Sequence, residues 1–270
     1  MDAPESPAAA GPLAQTEAEA ERVTAAARER GITAALVGGL AIFLRCPSAH
    51  QPPLQRQYKD IDLVTSRAMA QRLTALLQEM GHEPDKRFNA LQGGKRLFFW
   101  DAQNQRQLDV FVDRFEMSHT FDLRGRLALD PAAPTLPLAD LLLTKMQVVE
   151  INLKDMQDLA ALLQDHPFTV DETGINLEYI TGLTRNDWGL QRTLEKTAEK
   201  LQAPGTRPSD SEGRVTLPQL RAPEPRYDLA QQLQALVKGM QDAPKSMGWK
   251  LRDKVGERKR WYELPEEARA

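Results

Sequence analysis

The stretch from Arg56 to Leu63, RQYKDIDL, carries two carboxylates one residue apart, Asp60 and Asp62, in a segment patterned as a strand. Alternation along a strand puts both on one face and Ile61 and Leu63 on the other, with the two aspartate Cα atoms roughly 6.5–7 Å apart. Like charges that close repel, so the pair calls for a cation, a proton or a basic partner. Upstream, Gly38-Gly39-Leu40-Ala41 reads as a sharp turn from a strand into a helix. Glycine there lets a backbone approach a phosphate, and a helix N-terminus favours negative charge. Downstream, Asp109 lies within QLDVFVD, on a strand able to pair beside the first. Three acidic oxygen donors beside such a turn suit Mg²⁺, with Mn²⁺ as a substitute, because these ions take oxygen ligands and share their shell with substrate phosphates. Two such ions would stabilise both the attacking and the leaving oxygen of an in-line displacement at phosphorus. Plainer alternatives stay open. Paired aspartates also cap turns, glycine pairs also punctuate loops, and Asp101 and Asp113 flank Asp109 as rival ligands or as surface charges.

The elements that must position these residues read as follows. Residues 1–16, rich in Ala, Pro and Gly, are expected to form a disordered leader. Glu17 to Arg30 has the alanine and charge content of a surface helix, ended by Gly31 in the manner of a C′ glycine. ITAALVGG follows as a short buried strand entering a turn. A helix is expected over 66–80, capped by Ser66 and closed by Gly81. RLFFWD at 96–101 and RQLDVFVD at 106–113, joined by AQNQ, predict a hairpin. Alternating β and α segments indicate an α/β or α+β domain over 17–166, a mixed sheet flanked by helices.

From Leu138 the pattern turns helical, ADLLLTKMQVVEI and then KDMQDLAALL, with Asn152 as a break. Beyond His166-Pro167 a mostly helical region over 167–270 is expected, with helices near 187–202 and 227–241 around an exposed Pro/Gly/Ser-rich loop at 203–225.

Composition sets the class. The chain has 270 residues, 41% hydrophobic and 27% charged, enough for one sizeable core and a smaller second unit. The longest apolar run, AALVGGLAIFL at 34–44, is too short to span a bilayer, and no signal peptide is visible, so no membrane role and a cytoplasmic location are expected. Cys46 is the one cysteine, which excludes an internal disulfide. The four histidines lack metal-ligand spacing.

Gly38-x-x-Ala41, Arg56, Asp60-Ile61-Asp62 and then Asp109 on a later strand resemble, in that order, the nucleotidyltransferase superfamily. Residues 145–158, KMQVVEINLKDMQD, are similar to the lysine and Lys-Asp-x-x-Asp helix of its AbiEii-like, minimal and aminoglycoside-type members. The resemblance covers about residues 20–165. It implies that Asp60 and Asp62 are metal ligands and that Asp109 completes the metal site or serves as general base. It also implies that Gly38 and Gly39 line the triphosphate, that Arg56 neutralises it, and that Lys145, Lys154 and Asp158 contribute to nucleotide binding, with Asp155 beside them. Charge pairs on a solvated helix face are the plainer account of the two lysines and Asp158. The stretch from Leu40 to Lys59 is longer than the family usually has.

The implied activity is transfer of a nucleoside monophosphate from an NTP to a hydroxyl, with release of pyrophosphate. The acceptor class stays open between a small molecule, an RNA and a protein, as does the choice of NTP. The alternative is a nucleotide-binding or interaction module without turnover, half of a toxin–antitoxin pair. In the tail 245–262, seven basic residues interleave with Trp249, Trp261 and Tyr262, a composition suited to an RNA contact or to a solvated helix face.

Overall fold

The computed structural model describes residues 11–203, 205–210 and 213–263. The chain forms two compact units, one of residues 1–41, 57–115 and 121–136, the other of residues 42–56, 116–120 and 137–270. Of the leader expected over 1–16, residues 1–10 lie outside the described residues. The remainder is ordered into the first unit: Asn104 Nδ2 donates to the carbonyls of Pro12 and Leu13, and the Arg106 guanidinium donates to Leu13 O.

The first unit is built on α1 (Thr16–Glu29), β1 (Ala34–Val37), the start of α2 (Gly38–Arg45), β2 (Ile61–Thr65), α3 (Arg67–Glu79), β3 (Glu83–Pro84), α4 (Lys86–Gln92), β4 (Arg96–Asp101) and β5 (Arg106–Val112). The short strands β6 (Arg114–Glu116) and β7 (Thr120–Asp122) and the turn of helix α5 (Arg124–Leu127) follow. Five strands form one mixed sheet in the order β1-β2-β5-β4-β3. The pair β2/β5 is parallel, and β1/β2, β4/β5 and β3/β4 are antiparallel. The expected hairpin is therefore present, and the architecture is the mixed α/β sheet with flanking helices that the alternating segments indicate. Val23 and Ala27 of α1 and Leu73, Leu76 and Leu77 of α3 are fully buried, as their three- and four-residue spacing requires. Residues 134–136 cover the outer edge of β1, with Leu36 N donating to Pro134 O and Leu136 N to Leu36 O.

The second unit contains α6 (Leu138–Met146), α7 (Leu153–Asp165), the pair β8 (Phe168–Thr169) and β9 (Ile175–Asn176), α8 (Leu177–Thr184), α9 (Trp188–Gln202), α10 (Leu229–Asp242) and α11 (Met247–Val255). Asn152 caps α7 by accepting from Asp155 N, and the break between the two helical runs spans from Gln147, the C-cap of α6, to this residue. Within the second compact unit α6 and α7 pack with α8, α9 and α10. The physical reason is that every residue of α6 except Lys145 is buried, so this helix needs apolar neighbours on all sides. The loop expected to be exposed at 203–225 is partly packed: Leu220 and Ala222 are buried, and the Gln164 side chain binds Leu220 O and Ala222 N.

Candidate functional site

Strand pairing in the first unit assembles two of the three expected carboxylates. Ile61 and Leu63 are fully buried, which turns Asp62 to the opposite face of β2. Asp62 is the register partner of Asp109 across the parallel β2/β5 pair and of Val37 across β1/β2. Asp60 precedes β2 rather than lying on it, and it is exposed. The β2 pairings end at Asp62 with Val37 on one side and at Ile61 with Leu108 on the other.

Gly38 follows directly on Val37 at the start of α2, with φ +73°. A Cβ built on it would stand 2.7 Å from Asp62 Oδ2. Glycine is needed there twice over, for its left-handed backbone and for the close approach of the carboxylate. Gly39 is the second residue of the same helix.

Asp109 is 5% exposed, and its Oδ1 accepts from Arg96 Nε at 2.7 Å. Arg96 opens β4, and its guanidinium lies 5.3 Å from the Phe111 ring centroid, over the residue it faces in register. Partial burial works against the charge on Arg96, but the bond to Asp109 and the charges of Asp109 and Asp62 hold its pKa above the ordinary arginine value. The carboxylate pair thus already has a cation, supplied by the chain. Among the described residues no three His, Cys, Asp or Glu side chains are grouped to hold a metal ion. The register-matched pair Asp62 and Asp109 thus offers two carboxylates, of which Asp109 is engaged by the Arg96 guanidinium.

The rivals of Asp109 have other work. Asp101 is fully buried in an ion pair with Arg106 and accepts from Asn104 N. Asp113 adopts φ +63° and accepts from Arg67 N, closing the start of α3.

The second unit brings Arg56, Lys145 and Asp158 together with Asp155. Arg56 is bidentate on Asp158, Nε to Oδ1 at 2.9 Å and Nη2 to Oδ2 at 2.8 Å. Lys145 Nζ lies 2.8 Å from both Asp158 Oδ2 and Asp155 Oδ1. Asp155 and Asp158 share a face of α7 because they are three residues apart. Asp158 is 2% exposed. Burial alone would raise its pKa, but Lys145 and Arg56 together hold it below the usual carboxylate range. Lys145 is likewise pushed above the ordinary lysine value by Asp158 and Asp155, against its desolvation. Lys154 points elsewhere on α7 and is exposed. Two cations and two anions close on one another here, which is the arrangement of a structural ion network.

Cys46 is fully buried, and desolvation followed by the charge of Asp165 raises its thiol pKa, so it is no nucleophile. In the tail, Trp261 Nε1 donates to Thr193 Oγ1, Arg252 stacks 4.5 Å from the Trp188 ring centroid and Lys245 5.2 Å from that of Trp249. These aromatics are occupied within the chain. Reading single segments missed Arg96, whose position next to Asp109 follows from the β4/β5 register. It also missed the buried Glu19–His82 contact at 2.8 Å.

No family model matches the chain, and no curated protein matches it. A search of solved structures returns a crystal structure from H. pylori described provisionally as a nucleotidyltransferase, at 10% identity and a TM-score of 0.31, covering 91% of this chain and all of the other. Among the described residues no helix is long and apolar enough to cross a membrane.

Proposed function

We propose that the chain transfers a nucleoside monophosphate from an NTP to a hydroxyl acceptor and releases pyrophosphate. The observation that carries this is the register match of Asp62 with Asp109 beside a glycine whose Cβ would collide with Asp62 Oδ2. A strand end, a left-handed glycine and the first turn of a helix then surround one carboxylate pair.

In this reading the backbone N–H groups at Gly38 and Gly39 face the triphosphate, where the positive end of α2 favours an anion. Asp62 and Asp109 hold a divalent cation, Mg²⁺ or Mn²⁺, with Asp60 at the open end of β2. That ion, when bound, neutralises phosphate oxygens. The acceptor oxygen forms a bond to the α-phosphorus as the bond to the bridging oxygen of pyrophosphate breaks. The hydroxyl proton passes to a carboxylate of the same group. Arg96 lies close enough to take over charge neutralisation at Asp109 in the absence of the ion.

The test is incubation of the chain with each of the four α-labelled NTPs and Mg²⁺, with small-molecule, RNA and protein fractions analysed for label. Wild-type chain should transfer label, and Asp62→Asn should not. Undiminished transfer by the Asp60→Asn, Asp62→Asn double variant would end this assignment.

A second function is favoured by the Arg96–Asp109 ion pair, beside which no group of three His, Cys, Asp or Glu donors is found among the described residues. It is a nucleotide-binding or interaction module without turnover. Metal-independent nucleotide binding without label transfer would select it.

A further inference from the structure

Helix α11 turns the wrong side outward for a surface helix. At 100° per residue, Lys250, Lys254, Met247, Leu251 and Val255 follow one another around one side. Met247 is 72% exposed, Leu251 58% and Val255 39%, and no residue of this helix is buried. The opposite side is the one fixed to the chain: Asp253 accepts from Trp188 Nε1 at 2.7 Å, and Arg252 stacks on Trp188. The ammonium groups of Lys250 and Lys254 make no contact within the described residues, so the outer face pairs an apolar stripe with free positive charge.

The same unit carries a surface of the opposite sign. A groove of about 480 Å³ runs between β8, α8 and the end of α10, walled by Phe168, Val170 and Leu177, and lined by Gly239, where a Cβ would stand 2.9 Å from Leu177 Cδ2. Val170 stands 71% exposed at its lip. Two carboxylates rim it, Glu178, whose side chain is exposed and unengaged within the described residues, and Asp242, held only by an exposed i, i+4 pair with Lys238. Such an exposed pair is weak and exchanges readily.

We propose that two copies of this chain associate by reciprocal docking, the outer face of α11 from each copy lying in the groove of the other. The two surfaces complement each other in polarity and in charge, Lys250 and Lys254 against Glu178 and Asp242. A two-fold axis that sets each helix into the other copy's groove would make both contacts at once and close the assembly at a dimer, whereas the same contact repeated head to tail would not close. Four of the eight exposed large hydrophobic side chains among the described residues are covered by this single arrangement.

Sedimentation velocity on the full chain over a wide concentration range tests it. Wild-type chain should show a monomer–dimer equilibrium that weakens with salt. Leu251→Asp and Val170→Asp should each weaken it by about tenfold or more, since each buries a charge in an apolar contact. All these positions are exposed, so circular dichroism should be unchanged. Mixing the two variants is decisive. The mixed pair keeps one intact helix on one copy and one intact groove on the other, so it should associate more tightly than either variant alone. A wild-type chain that stays monomeric, one that grows beyond a dimer, or a mixture no tighter than its components would each overturn the proposal.

Discussion

Replacing Asp158 with asparagine tests whether the network of Arg56, Lys145, Asp155 and Asp158 is structural. The wild-type carboxylate is 2% exposed and faces Arg56 and Lys145, themselves only 13% and 14% exposed, so solvent screens these charges little. Asparagine keeps one acceptor oxygen but leaves two cations against the single charge of Asp155. Removing one partner of a buried pair costs about 3–5 kcal/mol, and the retained acceptor argues for about 3 kcal/mol here. For a chain of this size that is roughly 6–12 °C in Tm. Urea unfolding followed by tryptophan fluorescence suits the measurement, because Trp188, Trp249 and Trp261 all lie in the second unit. The pH dependence has a definite sign. Asp158 is held below the usual carboxylate range, so its contribution is complete above about pH 4 and disappears as pH falls through its lowered value. Lys145 is raised, so its contribution is complete below about pH 10 and disappears as pH rises through its raised value. The difference between wild type and variant should therefore be flat from weakly acidic to weakly basic pH and shrink on the acid side. A loss below about 1 kcal/mol at neutral pH would refute the reasoning, since that is the range of a solvated surface pair.

Gly38→Ala should abolish label transfer and cost about 1–2 kcal/mol from the left-handed backbone alone, because its Cβ would stand 2.7 Å from Asp62 Oδ2; wild-type activity in this variant would show that the glycine serves only the turn. Glu19, held at about 2 chiefly by His82 and Arg22 against its burial, should stabilise the chain above its ordinary value of 4.5 and lose that contribution as pH falls towards 2. Glu19→Gln should accordingly show a shallower acid unfolding profile, and an unchanged profile would remove Glu19 as the cause. Arg96→Gln should tighten Mn²⁺ binding measured by electron paramagnetic resonance, because the guanidinium and the ion compete for Asp109. Equal affinity in wild type and variant would show that they do not compete.

What the sequence determined by itself is local. The 3.6-residue spacing of Leu73, Leu76 and Leu77 specifies a helix face, the Asn152 side chain starts α7, and the alternation in RLFFWD and RQLDVFVD specifies a hairpin. Each depends on residues close in the chain, where backbone geometry alone decides which side chains meet. The acidic residues of the site were legible for the same reason, since Asp62 stands out beside Ile61 and Leu63 within one short strand. Their assembly was not. Asp62 meets Asp109 because β2 pairs with β5 in parallel, a contact between strands separated by two helices and two other strands, and register across such a gap is set by packing of the whole sheet. Arg96 reaches Asp109 through the hairpin register, and Lys145 reaches Asp158 only because α6 and α7 pack against each other across a short break. A titratable side chain states which charges it can bear. Which opposite charge it meets in a site too dry to screen it is settled by tertiary structure, because only burial makes one neighbour count for more than the surrounding water.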